Sequence, residues 1–134
     1  MYKRQIQYGA GIANGAGSVL ITYNETYDVA ALLSSANTTA YTISCDENED
    51  VRVSLSFFVE THPLNTSYTD FSYNLPNLDL EVYDSDGVKV GSSTTTYNNL
   101  EIVDFTATAA GNYTVKINRI STTGTVIYYG LAWT

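Results

Sequence analysis

Cysteine is nearly absent from this chain. Cys45 is the single one in 134 residues, so no internal disulfide can form and no cysteine-based metal site exists. Histidine is as scarce: any Ser-His-Asp arrangement would have to use His62, which stands directly before Pro63 with no strained nucleophile turn beside it in the sequence. A solvated loop histidine is the expectation there. Basic residues are few, six Lys and Arg against fourteen Asp and Glu, for a formal net charge of −8. A field of that sign repels phosphate backbones and anionic headgroups, which argues against nucleic acid or a membrane surface as partner and favours soluble cations such as Ca²⁺. No apolar run approaches the roughly 18 residues of a membrane span, and the opening residues do not read as a signal peptide. Charge is low overall, at 15% of residues against 44% apolar, which is the opposite of the composition that keeps a chain unfolded.

Uncharged polarity fills the space that charge leaves: twelve tyrosines accompany many Ser, Thr and Asn. Together with the scarcity of Lys, this is the composition of extracellular β-proteins, and a secreted location is expected on that association. Residues 8–17 hold four of the nine glycines and no charge. Gly costs about 1 kcal/mol per residue in a helix interior, so residues 1–22 read as a connector and 23–134 as one domain. Met1-Tyr2-Lys3-Arg4-Gln5 fits neither the apolar stretch after it nor a targeting signal, and it carries no part of the fold reasoning.

From about residue 38 the apolar pattern takes period two, the mark of strands with one buried face. Val51, Val53, Leu55, Phe57 and Val59 alternate with polar or exposed positions, as do Leu78, Leu80 and Val82, then Tyr113, Val115 and Ile117, and finally Ile127, Tyr129, Leu131 and Trp133. Shorter candidates lie at 39–45, 88–94 and 100–106; in the first, Tyr41, Ile43 and Cys45 share a face, which makes the thiol a buried and inert one. Asp84-Ser85-Asp86-Gly87 reads as a hairpin turn with Gly87 at positive φ. One long loop is expected from about His62 to Asn77. About seven to eight strands with no helical period between them predict an all-β, antiparallel β-sandwich or jelly roll.

Four blocks then line up. Asn77-Leu78-Asp79-Leu80-Glu81-Val82-Tyr83-Asp84-Ser85-Asp86-Gly87, Asn98-Asn99-Leu100-Glu101-Ile102-Val103, Ala110-Gly111-Asn112-Tyr113-Thr114-Val115-Lys116-Ile117 and Tyr129-Gly130-Leu131-Ala132-Trp133 resemble, in order and spacing, the C-terminal β-sandwich of subtilisin-like serine proteases and the related bacterial pre-peptidase C-terminal domains. Upstream, Gln7-Tyr8-Gly9-Ala10-Gly11-Ile12-Ala13-Asn14 is similar to the Gly-x-Gly-hydrophobic-x-Asn stretch near the end of subtilase catalytic domains, although Gly15-Ala16-Gly17 replaces the helix formers that follow it in the family. The resemblance implies a non-catalytic accessory domain whose partner is the catalytic domain of its own parent protease. It does not carry catalysis, because the Asp, His-Gly-Thr and Gly-Thr-Ser-Met-Ala motifs of the triad are missing. Members of the family frequently bind Ca²⁺ in this module, and Asp79, Asp84, Asp86, Asn99 and Glu101, with Asp70 from the long loop, supply the oxygen ligands that Ca²⁺ takes. Two other functions fit the composition: sugar binding by Trp133 and the tyrosines, as in jelly-roll carbohydrate-binding modules, and self-assembly as a filament or surface-layer subunit through strand donation by the N-terminal segment.

Overall fold

The computed structural model describes residues 24–58, 60–67, 69, 71–120 and 126–134. The expected connector over residues 1–22 therefore lies outside the described residues, as does Asp70. Among the described residues there are ten strands: β1 (Tyr27–Leu32), β2 (Thr38–Cys45), β3 (Asp50–Phe57), β4 (Glu60–Pro63), β5 (Phe71–Asn74), β6 (Leu78–Tyr83), β7 (Lys89–Ser93), β8 (Leu100–Thr106), β9 (Gly111–Arg119) and β10 (Ile127–Trp133).

Eight of them form two four-stranded antiparallel sheets, ordered β1-β10-β3-β8 and β2-β9-β6-β7. Their inner faces meet in one core, as the period-two alternation predicts. Leu55, Phe57, Leu78, Leu80, Val115, Ile117 and Leu131 are all between 0% and 2% exposed, and burying side chains of that size contributes about 1.5–3 kcal/mol each. Cys45 is buried on the inner face of β2 beside Ile43, and burial, with Glu49 and Asp46 adding to it, pushes its thiol pKa up, so it is a weak nucleophile.

Local chemistry explains the turn between β6 and β7. Asp84 Oδ1 accepts from the backbone N–H of Asp86 at 3.0 Å and of Val88 at 2.8 Å, and Gly87 takes φ 79°. Gly91 answers a different need. Its place in β7 opposite Val82 turns it toward Val103 of β8, and a Cβ there would collide with Val103 Cγ1.

Two features depart from the sequence reading. The stretch expected as a loop from His62 to Asn77 contains a two-stranded ribbon, β4 with β5, in which Pro63 pairs with Phe71 and His62 with Ser72. Strands of four residues, one of them ending in a proline, are too short for a period to register. The second departure is β1, which the alternation does not reveal. Its register against β10 puts Asp28 opposite Leu131 and Val29 opposite Gly130, so the acid turns toward the interior and Val29, 73% exposed, turns outward. An edge strand with an inward charge inverts the pattern that marks a strand.

Candidate functional site

The five acidic and amide positions expected to gather do not gather as one set. Asp79 stands near the start of β6, while Asp84 and Asp86 form the turn beyond its other end; five residues of strand separate Asp79 from Asp84 by about 16 Å. Asp84 already spends its carboxylate on the turn, and Asp86 is an exposed turn residue. Asn99 and Glu101 lie at the Asp79 end. Asn99 Nδ2 donates to the Phe57 carbonyl at 3.1 Å, and the Asn99 carbonyl accepts from Phe57 N–H at 3.0 Å, clamping the start of β8 to the end of β3.

Glu101 is the unusual member of the set. It occupies an inward position of β8 in line with Val103 and Phe105, opposite Leu55, and is 0% exposed. Taking a carboxylate out of water is costly unless donors replace the water. Ser93 Oγ donates to Oε2 and Thr95 Oγ1 to Oε1, and Thr95 N–H donates to Oε2 at 3.3 Å. These donors come from the end of β7 and the residues after it, so Glu101 ties the edge of one sheet to the edge of the other.

On the outer face of the same region, Glu81 is the hub. Its carboxylate accepts from Lys89 Nζ at 2.5 Å, Asn118 Nδ2 at 2.8 Å and Tyr83 OH at 2.8 Å, spanning three adjacent strands. The Lys89 bond, then that of Tyr83, holds the Glu81 pKa below the usual carboxylate value. Asp79 moves the other way: partial burial raises its pKa, and the charges of Glu101 and Glu81 raise it further. Lys89 and Lys116 flank the Tyr83 ring at 5.8 Å and 4.7 Å from its centroid. That Glu81 faces outward was legible from its place between Leu80 and Val82; that Asn118 and Lys89 flank it follows only from the strand order β9-β6-β7.

Ca²⁺ needs six to eight oxygens from one shell. The oxygens of Glu101 are engaged by hydroxyl and N–H donors, those of Glu81 by an ammonium, an amide and a phenol, and Asp84 Oδ1 by two backbone N–H groups. Among the described residues no three His, Cys, Asp or Glu side chains come together in a metal-binding arrangement. Asp79, Asp84, Asp86, Asn99 and Glu101 therefore do not fit one shared ion. His62 is placed by backbone in β4. Trp133, named for sugar stacking, is partly buried against the core, and Tyr113 and Tyr129 are each 2% exposed.

The opposite edge of the sandwich carries a second polar closure that sequence reasoning missed. Tyr41 OH donates to Asp28 Oδ2 at 2.7 Å and lies 2.6 Å from Tyr129 OH, joining β2 to β1 and β10. Desolvation, then the bond to Tyr129 and that to Asp28, pushes the Tyr41 phenol pKa up, so it remains neutral. No spacing of Asp28, Tyr41 and Tyr129 in the sequence signals this contact.

Two antiparallel four-stranded sheets, face to face and tied at both edges by carboxylate and hydroxyl bonds, define a small β-sandwich domain. Residues 34–119 match the family described as bacterial pre-peptidase C-terminal domain, and the chain belongs to that family, one of non-catalytic accessory domains attached to the catalytic domains of secreted bacterial proteases. The fold agrees: the crystal structure of the pre-peptidase C-terminal domain of a collagenase from Bacillus anthracis superposes with a TM-score of 0.58, at 13% identity, over 81% of this chain and 88% of that one. A protein from Sulfurospirillum deleyianum aligns at 10% identity over 79% of this chain and 96% of that one, with a TM-score of 0.37 that carries no argument. No curated protein matches.

Proposed function

We propose that this chain is the accessory domain of a secreted, subtilisin-like serine protease, and that it helps the enzyme endure rather than cut. The carrying observation is the family match over residues 34–119 together with the upstream Tyr8-Gly9-Ala10-Gly11-Ile12-Ala13-Asn14 stretch, which resembles the end of a subtilase catalytic domain. The isolated chain is expected to leave a general protein substrate intact. Cleavage that disappears in His62→Ala would overturn the non-catalytic assignment. In the parent enzyme, removing the domain is expected to shorten the half-life of activity on heating while leaving kcat/KM on a small peptide substrate unchanged; a lower kcat/KM with an unchanged half-life would instead give the domain a part in catalysis.

A contribution from Ca²⁺ belongs to the same proposal, supported by the net charge of −8 and by Asp79, whose carboxylate is partly buried and crowded by the charges of Glu101 and Glu81. An ion binding only the folded state adds RT ln(1 + [L]/Kd), about 2.7 kcal/mol at a hundredfold excess. That amount raises the midpoint of a domain this size by several degrees. Equal unfolding midpoints in millimolar Ca²⁺ and in chelator would remove the metal from the reading, and a full response retained by Asp79→Ala would remove Asp79 from the ligand set.

A further inference from the structure

The two outer faces of the sandwich are unlike. That of the second sheet is charged and held together by Glu81, Lys89, Asn118, Tyr83 and Lys116. On that of the first sheet the charged side chains, Asp50, Arg52 and Asp104, stand together at one end, where Arg52 pairs with Asp104 at 2.6 Å and Thr106 Oγ1 donates to Asp50. Beyond that end, the outward residues of β1, β10, β3 and β8 are uncharged. Val29 is 73% exposed, Phe58 69%, Tyr128 60% and Tyr27 48%. Val29 pairs with Gly130 of β10, and Phe58 N–H donates to the Tyr128 carbonyl at 3.1 Å, so these side chains bound one continuous patch. At such exposures three aromatic rings and a valine present roughly 400–500 Å² of largely apolar surface, more than half of the ~800 Å² that each partner buries in a standard interface. An apolar patch of that size marks an interaction site. Within it lies a groove of about 410 Å³ lined by Val29, Ser56, Phe58, Asn99 and Gly130. Neither backbone nor packing calls for glycine there: its φ is not positive, and a Cβ on it would meet nothing closer than the Asp28 carbonyl at 4.0 Å. A glycine of that kind in a strand marks the close approach of a ligand or of another chain.

A surface that carries both protruding rings and a recess is complementary to itself, which is the condition of a two-fold interface, where each copy offers the same patch. Charge points the same way. Two chains of net charge −8 repel each other, and on this patch they meet without bringing acids together, whereas a basic partner would be drawn to the acids instead. Edge-to-edge growth through β1 is opposed by the inward charge of Asp28. We propose that two copies of this chain pack these faces together as a closed two-fold dimer, the Tyr128 ring of each entering the groove over Gly130 of the other. The dimer does not depend on the protease reading.

Sedimentation velocity of the full chain over a range of concentrations tests it. A concentration-dependent dimer is expected, and it should tighten as salt rises, because salt screens the acids that remain outside the patch. Tyr128→Asp, at an exposed outward position, and Gly130→Leu, which fills the groove without an internal clash, are each expected to weaken the dimer at least tenfold. Thr42→Asp, exposed on the outer face of the other sheet, should leave it unchanged. Circular dichroism spectra of all four chains should agree, which separates lost association from lost fold. A chain that stays monomeric at millimolar concentration would overturn the proposal, and binding of a hydrophobic dye that Tyr128→Asp abolishes would then assign the patch to a different protein. A dimer that persists in both patch variants belongs to another surface, and assemblies that keep growing with concentration are not closed; either result would overturn it too.

Discussion

The two edges of this sandwich solve one problem by different means. At each edge an inner face would open to water, and at each a carboxylate from one sheet is bonded to hydroxyls. At the β7/β8 edge Glu101 is wholly buried, and its hydroxyl and amide donors all come from Ser93 and Thr95. At the β1/β2 edge Asp28 is only half-buried, and it accepts from a phenol, Tyr41 OH, which also contacts Tyr129 OH. A wholly buried side chain has no solvent beside it to replace a lost donor, whereas a half-buried one has. Buried polar groups are costly to orphan and inexpensive to keep paired, so the same kind of substitution should cost more at the first edge than at the second.

Glu101→Ala is expected to have the largest effect. It leaves the hydroxyls of Ser93 and Thr95 without their acceptor and a void beside Leu55, and should cost about 3–4 kcal/mol, read as a lower urea midpoint with unchanged slope. A loss under about 1 kcal/mol would mean that water enters this edge as it does the other. Gly91→Val tests packing at the same edge: its Cβ collides with Val103, for a cost of about 2 kcal/mol. Adding Val103→Ala should recover part of that loss, and a double variant no better than the sum of the singles would show that β7 simply shifts away. Tyr41→Phe at the other edge should cost about 1 kcal/mol; a cost equal to that of Glu101→Ala would erase the distinction between the edges.

The smallest effect has the opposite sign. Because burial and the neighbouring acids raise the Asp79 pKa on folding, the folded state binds the proton more tightly than the unfolded one. Asp79 ionisation therefore opposes folding, and its contribution to stability falls as pH rises through the window between the unfolded and the raised folded pKa. Asp79→Asn should stabilise the chain at neutral pH by less than about 1 kcal/mol, and the gain should vanish below that window. Glu81 behaves inversely. Its lowered pKa contributes stability above the unfolded value that is lost as pH falls through the folded one. Thermal midpoints across acid pH for the parent and Asp79→Asn chains check both signs. Destabilisation by Asp79→Asn only when Ca²⁺ is present would support that residue as a ligand.

Most of the fold was legible because most strands here are half-buried, and a half-buried strand writes its inner face into every second residue. Leu55 and Phe57, Leu78 and Leu80, Val115 and Ile117 are inside for that reason. The turn at Asp84 to Gly87 was legible too, since an Asp side chain bonding its own following backbone and a glycine at positive φ are local requirements. Where an element obeys a tertiary need, the pattern is silent. Strand β1 was hidden because its Asp28 faces the interior to meet Tyr41, and Glu101 read as a candidate Ca²⁺ ligand because a charge at an inward position makes sense only beside Ser93 and Thr95.

The amino-acid order by itself therefore determined the periodic strands, their buried faces and their tight turn, all of which depend on contacts within a few residues. Which acids meet was decided by strand order and sheet stacking. Those put Asp79 and Glu101 at one end of the sandwich, carried Asp84 and Asp86 to the other, and joined Asp28 to Tyr41 and Tyr129. The physical reason is range: backbone geometry and burial period act locally along the chain, whereas a carboxylate buried between sheets is satisfied only by donors that folding brings to it from other strands.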